Sequence, residues 1–221
     1  MPPHPPAATD RAADHMRTAI MEGGLQPGEQ LVEAEWTERL GVSRNTLREA
    51  FRHLCREGLA EHQRHCGVTV RSLSAEDVRE IFTIRRALEL PAVATVTSPI
   101  APHRLDSMRA CVAAAADAAK TQDWRAVGSH SLRLHGEIVR LIGSPQLDAF
   151  FACVLAQLRL SFAITPDEAA FQAPWLDRDA VILDRLTATD AVGAASALRA
   201  YLDDSERGLL ARFPAPQLPK P

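Results

Sequence analysis

Four arginines recur at intervals of four, Arg44, Arg48, Arg52 and Arg56. In a helix that spacing puts them on one face, drifting by about 40° per step. Leu47, Ala50, Phe51 and Leu54 take the opposite stripe. One face can therefore pack while the other presents guanidinium groups, whose rigid fork bonds guanine O6 and N7 together or clasps a phosphate. Ser43, Asn45 and Thr46 join Arg44 at the N-terminal end, where a hydroxyl and free backbone N–H groups can hold a phosphate at the positive end of the helix dipole. Arg52 and Arg56 suit phosphates or glutamates better than bases. From Ser43 to Arg71 six arginines face three glutamates, a net of +3, whereas the chain from Ser72 onward carries −2. A basic segment inside an otherwise acidic chain is the footprint of a small nucleic-acid-binding module. A solvated helix face with Glu49–Arg52 pairing is the plainer alternative.

A second set of polar groups lies on apolar stripes of the C-terminal half. Ser131 and His135 share a face with Ile138 and Ile142, Asp179 with Ile182, Leu183 and Leu186, and Tyr201 stands between Leu198 and Leu202. Buried polar groups need partners, because each one left unpaired costs about 1–3 kcal/mol. A cavity holding a polar ligand meets that need, and so does mutual hydrogen bonding in a closed core. Arg85 and Arg159 invite a carboxylate or phosphate on a small ligand, or an internal salt bridge, for instance between Arg85 and Glu89.

Other chemistry is thinly represented. The eleven glycines form neither a GxGxxG motif nor a phosphate loop, and there is no HExxH, nucleophile elbow or telling acid pair. An enzyme using His135 as base is thus a remote alternative, and the chain reads as a non-enzyme. Four cysteines at 55, 66, 111 and 153 form no close pair, against a zinc ribbon, a CxxC motif or a disulfide scaffold and consistent with a reduced, cytosolic protein. Cys66, between His65 and Gly67 and next but one to Arg64, leaves redox sensing open as an alternative. The longest uncharged stretch, Leu90 to Pro102, is 13 residues with three prolines, short of the roughly 18 that a membrane helix needs, so no membrane partner is expected.

The elements that position these groups follow from punctuation and period. In a chain of 221 residues with net charge −3, 46% hydrophobic and 24% charged residues describe an ordinary globular composition of one large or two small domains. Residues 1–8, rich in Pro and Ala, read as a disordered arm. Helices fit Thr9–Glu22, with Asp10 available as cap, Glu33–Leu40 and Ser43–Glu57, stopped by Gly23-Gly24, Gly41 and Gly58. Leu59–His62 and Gly67–Arg71 then flank a polar turn as a short hairpin. Three helices closed by a hairpin make a winged helix-turn-helix over residues 9–73. Beyond it the periods are helical throughout: a helix capped by Ser74, then about 103–121, 123–142, 145–163, 175–188 and 190–212, giving an all-helical domain over 74–213 and a Pro-rich tail at 214–221. The fold class expected is mainly α, an N-terminal winged helix-turn-helix followed by a helical bundle.

Residues 20–71 resemble the winged-helix domain of the GntR superfamily of bacterial transcription regulators. The resemblance is carried by Ile20 to Leu31 (IMEGGLQPGEQL), Leu40 to Ala50 (LGVSRNTLREA), Glu57-Gly58-Leu59 and the wing glycine Gly67. Residues 74–213 resemble the helical effector domain, FCD, of the FadR-type branch, through Ile81 to Glu89, Ser131 to His135, Ile142 to Pro145, and Asp190 with the Ala-rich stretch after it. The resemblance implies that Arg44 and Arg48 contact bases or backbone and that the wing around Arg64, His65 and Gly67 reaches the minor groove. Ala34 and Cys66 depart from the family pattern, standing where an arginine and a basic wing residue are common. It also implies a homodimer on a palindromic operator of double-stranded DNA, with a small organic acid or related metabolite as effector relieving repression. Many members of the branch hold a divalent metal through Asp-x3-His and two later histidines. The corresponding positions here are Ser131, His135, Asp179 and Tyr201, and no histidine follows His135. One imidazole and one carboxylate make a thin donor set, so no metal or other cofactor is expected.

Overall fold

The computed structural model describes residues 7–165 and 167–213. The expected tail at 214–221, and residues 1–6 of the expected arm, lie outside the described residues. Ala8 is no part of an arm: helix α1 (Ala8–Met21) has Ala7 at its N-cap, and Asp10 sits within the first turn instead of capping it. Alanine is the best helix former, and an acid in the first turn complements the helix dipole, so the helix extends back past the expected cap.

Ala12, Met16 and Ile20 bury one stripe of α1, and Gly23 ends the helix at φ +72°, a conformation that disfavours any residue with a β-carbon. Helix α2 (Glu33–Leu40) is closed by Gly41 in the left-handed region. Helix α3 (Arg44–Arg56) is opened by Ser43, whose hydroxyl accepts the Thr46 N–H at 3.1 Å. The wing follows as β1 (Ala60–Gln63) and β2 (Gly67–Val70), antiparallel with Ala60 opposite Val70 and Gln63 opposite Gly67. Gln30 adds an isolated bridge to Thr69, a third edge supplied by the turn after α1 that period and punctuation do not announce.

A capping box of Ser74 and Asp77 starts α4 (Ala75–Ala94). There follow α5 (Pro102–Lys120), α6 (Trp124–Val139), α7 (Pro145–Leu160), α8 (Glu168–Thr187) and α9 (Ala191–Leu210). Single 3-10 turns extend α6 and α7 at 140–142 and 161–164. Helix α8 begins well before the expected 175. Asp167 caps it by accepting the Ala170 N–H at 2.9 Å, and Pro174 is absorbed inside the helix. A proline favours a first-turn position, which makes 175 an attractive start, but the Asp cap lies about two turns earlier.

Two apolar cores result. Phe82, Met108, Leu134, Ile138 and Leu158 centre the helical bundle, and Met16, Leu47, Phe51, Leu54 and Leu59 centre the winged domain. Helix α7 belongs to both, because its Ala156 and Leu160 complete the winged-domain core while its Leu155 and Leu158 face the bundle. The stretch Pro145–Ile164 is long and apolar enough to cross a membrane, yet half of it is buried within the fold. That is the pattern of a shared core helix.

Candidate DNA interface and buried polar cluster

The recognition face is built by α3. Leu47, Ala50, Phe51 and Leu54 are buried against α1 and α2, which leaves Ser43, Arg44, Asn45, Arg48 and Arg52 exposed and Thr46 half-buried at the entering end. Arg48 is held by Glu33 of α2 in a two-point pair, Nε to Oε1 at 2.7 Å and Nη2 to Oε2 at 3.0 Å. The carboxylate raises the Arg48 guanidinium and is itself held below the usual carboxylate range by that hydrogen bond. Arg52 pairs with Glu49 one turn back, as the plainer reading of the sequence anticipates. Both pairs are solvent-exposed, and such pairs contribute about 0–1 kcal/mol, so phosphates or base edges can replace the glutamates at little cost.

Arg64, His65, Cys66 and Gly67 form the exposed tip of the wing. His65 and Gly67 both have positive φ, 68° and 76°, and Gln30 Nε2 donates to the Cys66 carbonyl at 2.6 Å. The tip is thus tied to the turn after α1, and Arg64 and His65 are exposed on it.

In the helical domain five of the six expected pocket residues converge. Arg85 and Glu89 on α4, Ser131 and His135 on α6, Asp179 on α8 and Tyr201 on α9 are all buried. Glu89 accepts from Arg85 Nε at 2.6 Å and from His135 Nδ1 at 2.6 Å. His135 Nε2 lies 3.6 Å from Asp179 Oδ1, and the Ser131 and Tyr201 hydroxyls meet at 3.0 Å. The Tyr201 ring is sandwiched at 4.6 Å from His135 and 4.8 Å from Trp175. Burial disfavours charge on Glu89, yet Arg85 and His135 hold its carboxyl below the usual range. Burial likewise opposes charge on His135, but Glu89 and Asp179 outweigh it and raise the imidazole. Arg85 Nη2, His135 Nε2, Asp179 Oδ1 and Trp175 Nε1 have no hydrogen-bond partner, which is costly in a dry interior.

Arg159 stands apart from this cluster. Its Nε donates to Ser129 Oγ at 3.2 Å, and its Nη2 lies 3.5 Å from Glu168. It also fills the space beside Gly23, where a β-carbon would collide with its guanidinium. The residue therefore braces the junction of α1 with the bundle, a contact between segments more than a hundred residues apart. Glu89 is the functional residue that the stripes do not single out. Its i, i+4 spacing to Arg85 is a visible signal, whereas its bond to His135 depends on tertiary packing.

The four positions that the resemblance assigns to a divalent ion offer one imidazole and one carboxylate, a thin donor set. Of the four corresponding positions, Ser131 and Tyr201 satisfy each other, the first nitrogen of His135 is committed to Glu89, and the Arg85 guanidinium brings a cation beside the same carboxylate. Among the described residues no group of three or more His, Cys, Asp or Glu side chains is arranged to hold a metal ion.

A winged helix exposing guanidinium groups, docked on a bundle with a buried polar centre, defines a DNA-binding transcriptional regulator, and the relatives agree. The pattern of bacterial regulatory proteins of the gntR family matches residues 8–70, and that of the FCD domain matches residues 80–204. A solved GntR transcriptional regulator from Rhodococcus sp. RHA1 superposes with a TM-score of 0.84 at 32% identity, over 93% of this chain and 99% of that one. A Bacillus subtilis HTH-type transcriptional regulator is 39% identical over 38% of this chain and 37% of its own length. A Paenarthrobacter nicotinovorans protein named for repression of a D-xylose utilization operon is 33% identical over 58% of this chain and 56% of its own. The matched stretch thus spans about half or less of these two curated relatives. The chain belongs to the GntR family of transcriptional regulators, in the branch that carries an FCD domain. The family and the relatives named are transcriptional regulators, not enzymes.

Proposed function

We propose that the protein is a ligand-responsive repressor of the cytoplasm, binding a palindromic operator as a homodimer and released by a small organic acid. The observation that carries this reading is the exposed α3 face, in which Ser43, Arg44, Asn45 and Arg48 stand clear of the core beside the wing. One winged helix reads few base pairs, and two half-sites related by a dyad supply the missing specificity. The effector is held at the buried cluster of Arg85, Ser131, His135, Asp179 and Tyr201, without a metal cofactor. The unpartnered Arg85 Nη2 and Trp175 Nε1 supply donors for a carboxylate, and Asp179 Oδ1 supplies an acceptor for a hydroxyl. Arg159 is left out of this set because it braces the interdomain junction.

The test is selection of genomic fragments by the purified protein at fixed salt, followed by native mass spectrometry of the selected complex. A recovered inverted repeat bound by two copies, and released by an organic acid, supports the reading. No preference for any duplex over bulk genomic competitor would sink it.

A further inference from the structure

Away from the buried cluster, an open cleft of about 420 Å3 lies where the two domains meet, within the roughly 300–1,000 Å3 of small-molecule sites. Its floor is apolar, formed by Met21 of α1 with Leu155 and Ala156 of α7. Helix α6 supplies another wall through Gly136, whose missing side chain leaves room above Leu155. Three guanidinium groups reach the cleft, and they are not equivalent. Arg17 is fixed by Glu57 at 2.7 and 3.0 Å and by Asp14, and Arg140 is paired with Glu137. Arg133 makes longer contacts, 3.2 Å to Glu22 and 3.4 Å to His130 Nδ1, with a side chain that stays partly exposed. Water competes strongly for such a pair, so Arg133 can change partner. In the first turn of α7, Asp148 lines the same cleft with an Oδ1 that is buried and has no hydrogen-bond partner.

From these features we infer that the interdomain cleft is a second ligand site, distinct from the buried cluster, for a small carboxylic acid with an apolar body and a hydroxyl group. The carboxylate replaces Glu22 on Arg133, the body covers Met21 and Leu155, and the hydroxyl donates to Asp148 Oδ1. Burial pushes the Cys111 thiol at the rim up to about 11, so it stays neutral there and does not repel the acid. Because α1 of the winged domain forms one wall and α6 and α7 form the others, an occupant touches both domains and favours one placement of the winged domain over others. Ser131 and His135 lie on the opposite face of α6, so both sites touch one helix from its two sides. That consequence for DNA affinity rests on the repressor reading; the binding itself does not.

The probe is 6-hydroxy-2-naphthoate, with 2-naphthoate as the analogue lacking the hydroxyl, titrated into the full chain by fluorescence and calorimetry. One molecule per chain is expected, with 6-hydroxy-2-naphthoate preferred. Arg133→Gln weakens both probes about tenfold, the worth of one charge-assisted bond. Asp148→Asn narrows the preference for the hydroxylated probe, and Ala152→Trp, a bulky side chain on an exposed position lining the cleft, abolishes binding. Tyr201→Phe in the buried cluster leaves binding within twofold. Absence of saturable binding, or binding indifferent to Arg133→Gln and Ala152→Trp, overturns the inference. So does binding lost in Tyr201→Phe but kept in the cleft variants. Operator binding measured without any acid tests the repressor reading separately, so the two failures are distinguishable.

Discussion

Arg48 and Glu33 meet at 2.7 Å on the recognition face, and Arg85 and Glu89 meet at 2.6 Å inside the bundle. The geometry is nearly the same, but the side chains are 59% and 38% exposed in the first pair and 1% and 0% in the second. In water the attraction is largely screened and each charge keeps its hydration, so the first pair is a resting arrangement that a phosphate or a guanine can displace. In the interior neither charge can be left alone, because desolvation of one naked ion costs several kcal/mol. The separation of the charges thus says little about their role. The surrounding medium decides whether an arginine is available to a partner or committed to the fold.

The sharpest way to break this contrast is to remove one acid at the buried site. Glu89→Ala leaves both Arg85 and His135 without their carboxylate, and the expected loss is about 3–5 kcal/mol in urea denaturation. A loss below about 1 kcal/mol would mean that the cluster is wet or rearranges freely, and the contrast with Arg48–Glu33 would collapse.

The same cluster carries a pH signature with a definite sign. His135 is raised when folded, so its contribution is complete below its ordinary value of about 6.5 and is lost as pH rises through the folded value. Glu89 is lowered, so its contribution is complete above about 4.5 and is lost as pH falls through the folded value. The stability gap between the wild type and His135→Gln is therefore expected to be widest between about pH 4.5 and 6.5 and to shrink toward alkaline pH. Melting curves of both proteins from pH 5 to 9 decide it; a flat gap would show that His135 is uncharged in the folded protein.

The two regions also differ in how far their amino acids announce them. The α3 face is local: arginines four apart, an apolar stripe opposite, a serine cap and a glycine stop all lie within sixteen residues, and the structure reproduces each. Ser131, His135, Asp179 and Tyr201 are recognisable as inward-facing because polar residues interrupt apolar stripes, and they do converge. What the stripes cannot specify is the pairing. Glu89 meets His135 across 46 positions, and Arg159 turns to Ser129 and the α1 junction instead of to the cluster. Docking of the winged domain on α7 is similarly hidden, since Ala156 and Leu160 fit the period of a bundle helix as well as that of a shared one. Pro174 misplaces the start of α8 because a local start signal outweighs an earlier aspartate cap in a reading by turns, but not in the packed fold.

On the exposed side the largest effect should fall on binding and spare stability. Arg48→Ala is expected to cost about 1–3 kcal/mol in operator affinity, with the loss concentrated at one base pair of each half-site. Its unfolding free energy should change by less than about 0.5 kcal/mol, since the pair it breaks is solvated. Fluorescence anisotropy at fixed salt and a urea melt measure the two numbers on one preparation. A uniform loss across all operator variants would reassign Arg48 from base to phosphate.

The smallest effect sharpens the comparison most, because it removes the acid from the exposed pair as Glu89→Ala does from the buried one. Glu33→Gln deletes a negative charge beside the DNA-facing surface and releases Arg48 from its two-point hold. Affinity for random duplex should rise by about two- to threefold, in keeping with the fraction of a kcal/mol that an exposed pair contributes. Discrimination at the Arg48 base pair should fall, because a guanidinium no longer aimed by Glu33 can reach either neighbouring phosphates or bases. Thermal stability should stay unchanged. If Glu33→Gln instead unfolds the winged domain at lower urea by more than about 1 kcal/mol, the pair is structural, and exposure alone does not separate the arginines that read DNA from those that hold the fold.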